Sequence, residues 1–202
     1  MLNDIHKPRP IVSTANAEVD LLNPLVSQIH AEDIALALSR VVRYSGHSAT
    51  PFTVGQHTLL CRNIAVRMLS HKVGSQTFDD VVDAVTLHDA HEAYTGDIAR
   101  PLKMLLNVDG AIDRLENRLD AVIRARFSPK YWPTLKNAVK EVDNAALSAE
   151  VHAFFPAVLG RWGSLPDPHP DDVGMATSIG DWSQFEVATS ILHTLRKMEH
   201  RA

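Results

Sequence analysis

The chain has 202 residues, of which 45% are hydrophobic, and carries a formal net charge of -4. That is long and apolar enough for one domain with a sizeable core, and 9 glycines leave little room for a flexible, structureless body. The mild acidity, with no basic stripe, excludes a grip on long nucleic acid; a small phosphorylated ligand needs only a few local cations.

Residues 1–30 are mixed in character and contain three prolines, and they read as an extended lead-in. From Ala31 the spacing of Ile34, Leu38 and Val41 predicts a helix face. Gly46 to Pro51 reads as a loop. Thr53 and Gln56 fit a capping box that opens a helix running to about His71, with Leu60, Ile64 and Met68 on one side. The next helix is expected from about Asp79 to Tyr94, striped by Val81, Val82, Val85 and Leu87 and stopped by Gly96. A loop containing Pro101 follows. Helices are then expected from about Asp109, along Ile112, Leu115, Leu119 and Val122, and from Pro133, along Leu135, Val139, Val142 and Ala146. The stretch 156–181 holds four prolines and four glycines and reads as an irregular loop, and 182–199 as a C-terminal helix. No alternating strand pattern, repeat or low-complexity tract stands out. The expected fold is a single all-α domain over 1–202, a bundle of five to seven helices.

One cysteine, Cys61, allows no intramolecular disulfide and reads as a small apolar residue inside a helix; a free thiol suits a reducing compartment. The first residues, MLNDIHKPRPIVST, lack the apolar core of a signal peptide, and no run approaches the roughly 20 apolar residues of a membrane span. A cytoplasmic location is expected, that of a bacterial host cell if a phage encodes the chain.

The chemistry concentrates in Leu87-His88-Asp89-Ala90-His91-Glu92-Ala93-Tyr94-Thr95-Gly96-Asp97. On a continuous helix His88, Asp89 and Glu92 would share one face. Polar groups on an apolar face are costly without partners, and a metal ion supplies one. His57, at a helix start, and Asp143, beside Val142 and four after Val139, complete a mixed N/O ligand set. Two histidines and two carboxylates suit one divalent ion, Mn²⁺, Co²⁺, Fe²⁺ or Mg²⁺, and Zn²⁺ less distinctively. The order His88-Asp89-Ala90-His91-Glu92 does not fit the H-E-x-x-H of a zinc peptidase, and there is no Walker-type glycine-rich loop. His152, His169, His193 and His200 show no cluster spacing, His91 reads as a neighbour of the site, and His47 is a weaker candidate beside it.

His57, then His88-Asp89, then Asp143 resemble the H…HD…D signature of the HD superfamily of metal-dependent phosphohydrolases. The likeness covers residues 19–150. It extends through Val19–Pro24, Ile34–Arg40, Arg43–His47, Thr53–Thr58 and His88–Lys103. The blocks resemble the branch that includes bacterial 5′-deoxynucleotidases and phage dNTP triphosphohydrolases, dATP-specific ones among them. The resemblance implies that His57, His88, Asp89 and Asp143 bind the metal. It also implies that Glu92 manages the proton of the attacking water, and that Arg43 and Lys103 meet phosphate. Asp97 matches the position that contacts the sugar 3′-hydroxyl, and Tyr44 stands where some relatives have tryptophan for a base or sugar to pack on. The implied reaction is hydrolysis of a deoxynucleotide at the α-phosphorus, dNTP to nucleoside plus triphosphate, by a dimer or larger ring. A 5′-nucleotidase acting on dNMPs, a cyclic-nucleotide phosphodiesterase and a catalytically idle nucleotide-binding regulator are the alternatives. Arg40, Arg62 and Arg100 are candidates for a longer phosphate chain. Residues after Phe154 match nothing in the family pattern, and Ile191, Leu195 and Phe185 of the last helix would serve the core or an interface.

Overall fold

The helical periodicities are realised as an all-α bundle, described by a computed structural model at residues 10–69, 75–127, 132–163 and 165–201. The lead-in is not wholly irregular. A two-residue antiparallel hairpin, β1 (Ile11–Val12) and β2 (Glu18–Val19), sets Ile11 opposite Val19. It is pinned to α1 (Ala31–Leu38), where buried Asp33 accepts from the Thr14 hydroxyl and the Ala15 N–H, both at 2.8 Å. Val41, expected on the same helix, lies beyond its end.

The Thr53–Gln56 capping box forms as the sequence predicts. The Gln56 side chain accepts from the Thr53 N–H at 2.7 Å, and the Thr53 hydroxyl accepts from the Gln56 N–H at 3.2 Å. It opens α2 (Val54–Leu69); the expected end near His71 lies outside the described residues. Gly55 lets α2 approach its neighbours closely. A Cβ there would come within 2.6 Å of Val187 Cγ1 and 3.0 Å of both Ile191 Cδ1 and the Leu38 carbonyl.

Three expectations are corrected. The helix predicted to reach Tyr94 ends at Leu87: α3 spans Ser75–Leu87, and α4 is a single turn, Glu92–Thr95. The His88 ring takes the Val85 carbonyl at 2.7 Å, a carbonyl that a continuing helix would need, and the chain tightens into i→i−3 bonds (Ala90 N–H to Leu87, Glu92 N–H to Asp89). His88, Asp89 and Glu92 therefore do not share one face of a single helix. The Pro101 loop is instead α5 (Arg100–Leu106), with the proline in its first turn. The stretch 156–181 is not all loop: a 3-10 turn, Pro156–Arg161, leads to α8 (Pro170–Gly180), whose N-cap is the His169 side chain. In both new helices a proline sits where its missing N–H costs nothing, so punctuation that reads as loop marks a helix start.

The remaining helices are α6 (Ala111–Phe127), α7 (Trp132–Phe154) and α9 (Gln184–Glu199), the last opened by a Ser183–Glu186 capping box. These additions carry the described helices past the expected five to seven. α7 packs along α8, α2 and α3, and α9 along α1, α2 and α6. Ile179, Val187, Ile191, Leu195 and Met198 are buried in the same core as Leu60, Ile64 and Val142, so α8 and α9 belong to the bundle, while Phe185 is 79% exposed. Among the described residues no helix is long and apolar enough to cross a membrane.

Candidate metal centre

Three parts of the bundle meet at one point. The first turn of α2 carries His57, whose start is fixed by the capping box and braced by α8, since the Gln56 amide donates to the carbonyls of Ile179 (2.9 Å) and Gly180 (3.0 Å). The turn that ends α3 carries His88 and Asp89. The middle of α7 carries Asp143. His57 Nε2 lies 3.3 Å from His88 Nε2, 3.5 Å from Asp89 Oδ2 and 3.5 Å from Asp143 Oδ1. His88 Nε2 lies 3.1 Å from Asp89 Oδ2 and 4.0 Å from Asp143 Oδ1. The structure thus brings together all four residues singled out in the sequence.

The donor set fits a cation. Bonds of about 2.1 Å place neighbouring ligands about 3.0 Å apart at right angles and about 4.2 Å apart when opposite, which brackets these separations. Both rings are also oriented for it. His88 Nδ1 faces the Val85 carbonyl at 2.7 Å and His57 Nδ1 faces Glu150 Oε1 at 2.5 Å, which turns both Nε2 atoms inward. Cys61, one turn along α2 from His57, was missed. With His57 and His88 it forms a buried group of three ligand atoms within 4.8 Å of one another that could hold a metal ion. Its Sγ lies 3.4 Å from His57 Nε2 and 3.8 Å from Nδ1, as near to Nε2 as the two carboxylate oxygens at 3.5 Å.

Electrostatics bind the cluster together. Burial disfavours the charged form of His88, but Asp89, then Cys61 and Asp143, outweigh it and push the ring up to about 10. His57 is raised likewise, against burial and Arg43, by Cys61, Glu150 and Asp143. Asp89 and Asp143 are held far below the usual carboxylate range despite their burial, chiefly by the two histidines. Glu92 behaves in the opposite way. Burial, then Asp89 and Asp97, push its carboxyl up to about 9, and its Oε2 is buried with no hydrogen-bond partner among the described residues.

Arg43 and Tyr44 stand beside the cluster. Arg43 Nη1 is 3.8 Å from Asp89 Oδ2, and its Nε donates to Glu150 Oε2 at 3.1 Å. Tyr44 adopts a left-handed φ of 58° and Ser45 follows at 52°, backbone that non-glycine residues rarely accept. Asp97 Oδ2 accepts from the Tyr44 N–H at 3.1 Å and holds this turn. The Tyr44 ring meets the edges of Phe155 (5.0 Å) and Trp162 (5.8 Å), two aromatics from the unmatched C-terminal third. Lys103 is turned to α6, where Glu116 and, at 3.5 Å, Asp113 match its charge. His91 is buried there too, with Nδ1 3.0 Å from Asp120 Oδ1, as a neighbour of the site. Arg40 and Arg100 are exposed, and Arg62 feels the charge of Asp83.

Glu150, fully buried and two turns along α7 from Asp143, is the residue the sequence reading missed most clearly. A glutamate in register with Asp143 on a buried helical stripe was the available signal.

No family model matches the chain. It is 33% identical over 118 residues to the uncharacterized protein YfdR of Escherichia coli, covering 58% of this chain and 57% of that one. To a dATP triphosphohydrolase of Salmonella phage PMBT28 it is 33% identical over 73 residues, 32% of this chain and 38% of that one. The chain thus spans just over half of the first relative and little more than a third of the phage enzyme. To an uncharacterized protein of Rhodobacter capsulatus it is 33% identical over 157 residues, covering 74% of this chain and 76% of its relative. On that length of shared sequence, the chain belongs to the same family as the Rhodobacter capsulatus protein.

Proposed function

We propose that the chain is an HD-superfamily phosphohydrolase that binds one divalent cation through His57, His88, Asp89 and Asp143 and cleaves a deoxynucleotide at its α-phosphorus. The observation that carries this reading is the convergence, from three separate elements, of two imidazole nitrogens 3.3 Å apart and two carboxylate oxygens each 3.1–4.0 Å from those nitrogens. The all-α fold and the shared stretch with a protein named dATP triphosphohydrolase support it. A cation held there by His57, His88, Asp89 and Asp143 would supply polarisation of a phosphoryl oxygen and activation of water near neutral pH.

The chain's own residues supply the rest. Glu92, whose carboxyl burial and the charges of Asp89 and Asp97 hold above the usual carboxylate range, manages the proton of the attacking water. Arg43 presents its Nη edge to the phosphate, because Glu150 occupies Nε. Asp97, next to the strained Tyr44 turn, is the partner for the sugar 3′-hydroxyl. Tyr44, Phe155 and Trp162 form the aromatic wall for the base. Lys103 contributes only once a phosphate competes with Glu116 for it. The dNTP reaction, releasing triphosphate with dATP as the leading base, is favoured over dNMP hydrolysis by the phage relative. A homo-oligomer, a dimer or larger ring working in the cytoplasm on a free nucleotide, completes the proposal.

The test is incubation of the protein with Mn²⁺, Co²⁺ or Mg²⁺ and a panel of dNMPs, dNTPs and NTPs, with products resolved by ion exchange and E92A alongside. Triphosphate from dNTPs, lost in E92A, supports the proposal. Orthophosphate from dNMPs alone would replace it with the nucleotidase. No product with any metal would replace it with an idle nucleotide-binding protein, for which retained nucleotide binding is the positive sign.

A further inference from the structure

The cation site needs its histidines aimed, and one carboxylate stands behind both the His57 ring and the phosphate side of the pocket. Glu150 has no exposed surface and takes three donors. Oε1 faces His57 Nδ1 at 2.5 Å, while Oε2 accepts from Arg43 Nε at 3.1 Å and from the Tyr44 hydroxyl. Each contact fixes something different. The first keeps the His57 proton on Nδ1, so the Nε2 lone pair faces Asp89, Asp143 and His88. The second spends the Nε edge of Arg43, leaving Nη1 directed at Asp89 Oδ2. The third clamps the Tyr44 ring against Phe155 and Trp162.

We propose that Glu150 is the positioning residue of the site: one buried carboxylate on α7 that sets the tautomer of the ligand His57 and the aim of Arg43 and Tyr44 together. This rests on the cation-binding reading above. It has a specific chemical consequence. A glutamine has the same shape but one acceptor and one donor where glutamate has two acceptors. If its oxygen keeps Arg43 and Tyr44, its NH₂ faces His57 Nδ1, drives the ring proton to Nε2 and blocks the ligand position. If it flips, its NH₂ confronts the N–H of Arg43. The first arrangement keeps both Arg43 and Tyr44 and leaves no donor facing a donor, so it is the one expected and the cation site is what E150Q disturbs; outer-shell partners of ligating histidines are worth roughly 10–100-fold in metal affinity.

The experiment is calorimetric titration of Co²⁺ into the full chain, E150Q and Y44F, with melting curves recorded for each. Tyr44→Phe matters because its hydroxyl reaches the cluster only through Glu150 and its loss leaves the apolar ring in place. Roughly 10–100-fold weaker Co²⁺ binding by E150Q is expected, with a smaller, about fivefold weakening by Y44F, whose hydroxyl acts on His57 only through the Glu150 carboxylate. A merely structural role would lower melting temperatures and leave Co²⁺ affinity unchanged. If the wild type binds Co²⁺ and both variants bind within twofold of it, the assignment to Glu150 is overturned while the cation site stands. If the wild type binds no Co²⁺, Mn²⁺ or Zn²⁺, the cation-binding reading falls and takes this one with it. Should E150Q not fold, the Y44F shift alone decides.

Discussion

Two neighbouring regions of the molecule are built on opposite principles. The floor of the candidate centre, where α2, the end of α3 and α7 meet, is over-determined: His57, Gln56 and Glu150 are almost wholly buried, and each is held by partners from another element. The flank that follows it, α5 and the turn after, shows Leu102, Met104, Leu105, Leu106 and Val108 to solvent at 48–89% exposure. It is tethered by the Lys103 pairs to α6 and by the Asn107 side chain, which accepts from the Ile112 N–H at 3.0 Å. Polar groups are buried where chemistry needs fixed geometry, and apolar groups are exposed beside it. The difference teaches that the position of a charge and the strength of the fold are concentrated in the floor, so substitutions there and in the flank should have unequal effects.

The largest effect is expected from Asp143→Ala. Loss of a carboxylate that faces both histidines should cost more than about 100-fold in activity, since outer-shell partners alone are worth 10–100-fold. The same variant should bind less than one equivalent of Mn²⁺ or Co²⁺ in equilibrium dialysis, and full stoichiometry would remove Asp143 from the ligand set. Next comes Gly55→Ala. The added Cβ meets a Val187 methyl at 2.6 Å, and overpacking of this kind costs about 1–3 kcal/mol. An unchanged denaturant midpoint would show that α9 yields to α2 more readily than the packing indicates.

The pH response sharpens the contrast. Without a cation, His88 is carried up to about 10 by Asp89, Cys61 and Asp143 against its burial, and His57 is raised as well. A histidine raised in the folded state stabilises fully below its unfolded value of about 6.5, and that contribution is lost as pH climbs through the folded value. The chelator-treated protein should therefore melt at lower temperature at pH 9 than at pH 6.5. Cation affinity should rise over the same window, because the ion competes with protons for the same nitrogens. Melting temperatures that are flat in chelator would refute the coupling of these rings to the fold.

Cys61→Ala distinguishes the thiol from the carboxylates as companions of the histidines. With the carboxylates as ligands, Co²⁺ affinity should change by less than about tenfold, and the wild-type Co²⁺ spectrum should lack a thiolate charge-transfer band; its presence would place sulfur on the metal. The smallest effect belongs to the flank. Lys103→Ala removes partly exposed ion pairs worth about 0.2–1 kcal/mol, and Leu105→Gln should lie within about 0.5 kcal/mol of wild type in urea melts. A loss of several kcal/mol at Leu105 would mean that this face is covered in the native assembly.

Local signals were legible where a single helix or cap carried them. The Thr53–Gln56 box and the stripes of α1, α2, α6 and α7 needed no knowledge of neighbours. The four convergent residues His57, His88, Asp89 and Asp143 stood out by lying on or beside apolar stripes and by an order that resembles the HD signature. Where signals conflicted, the reading failed. The α3 stripe seemed to continue to Tyr94 because periodicity cannot see a side chain taking a backbone carbonyl, as His88 does at Val85. Pro101 and Pro170 read as loop because proline both ends helices and begins them.

The sequence by itself determined the helical class and the cap that starts α2, which follow from residue type and spacing along the chain, and it singled out His57, His88, Asp89 and Asp143 by their resemblance to the HD signature. Only the tertiary structure decided that α8 brings carbonyls to Gln56, that Tyr44 rests on Phe155 and Trp162, and that Glu150 stands behind His57, Arg43 and Tyr44 at once. Those contacts join residues as many as 124 positions apart. Whether a buried carboxylate is an orphan or a hub depends on which donors the folded chain carries to it, and distance along the sequence holds no record of that.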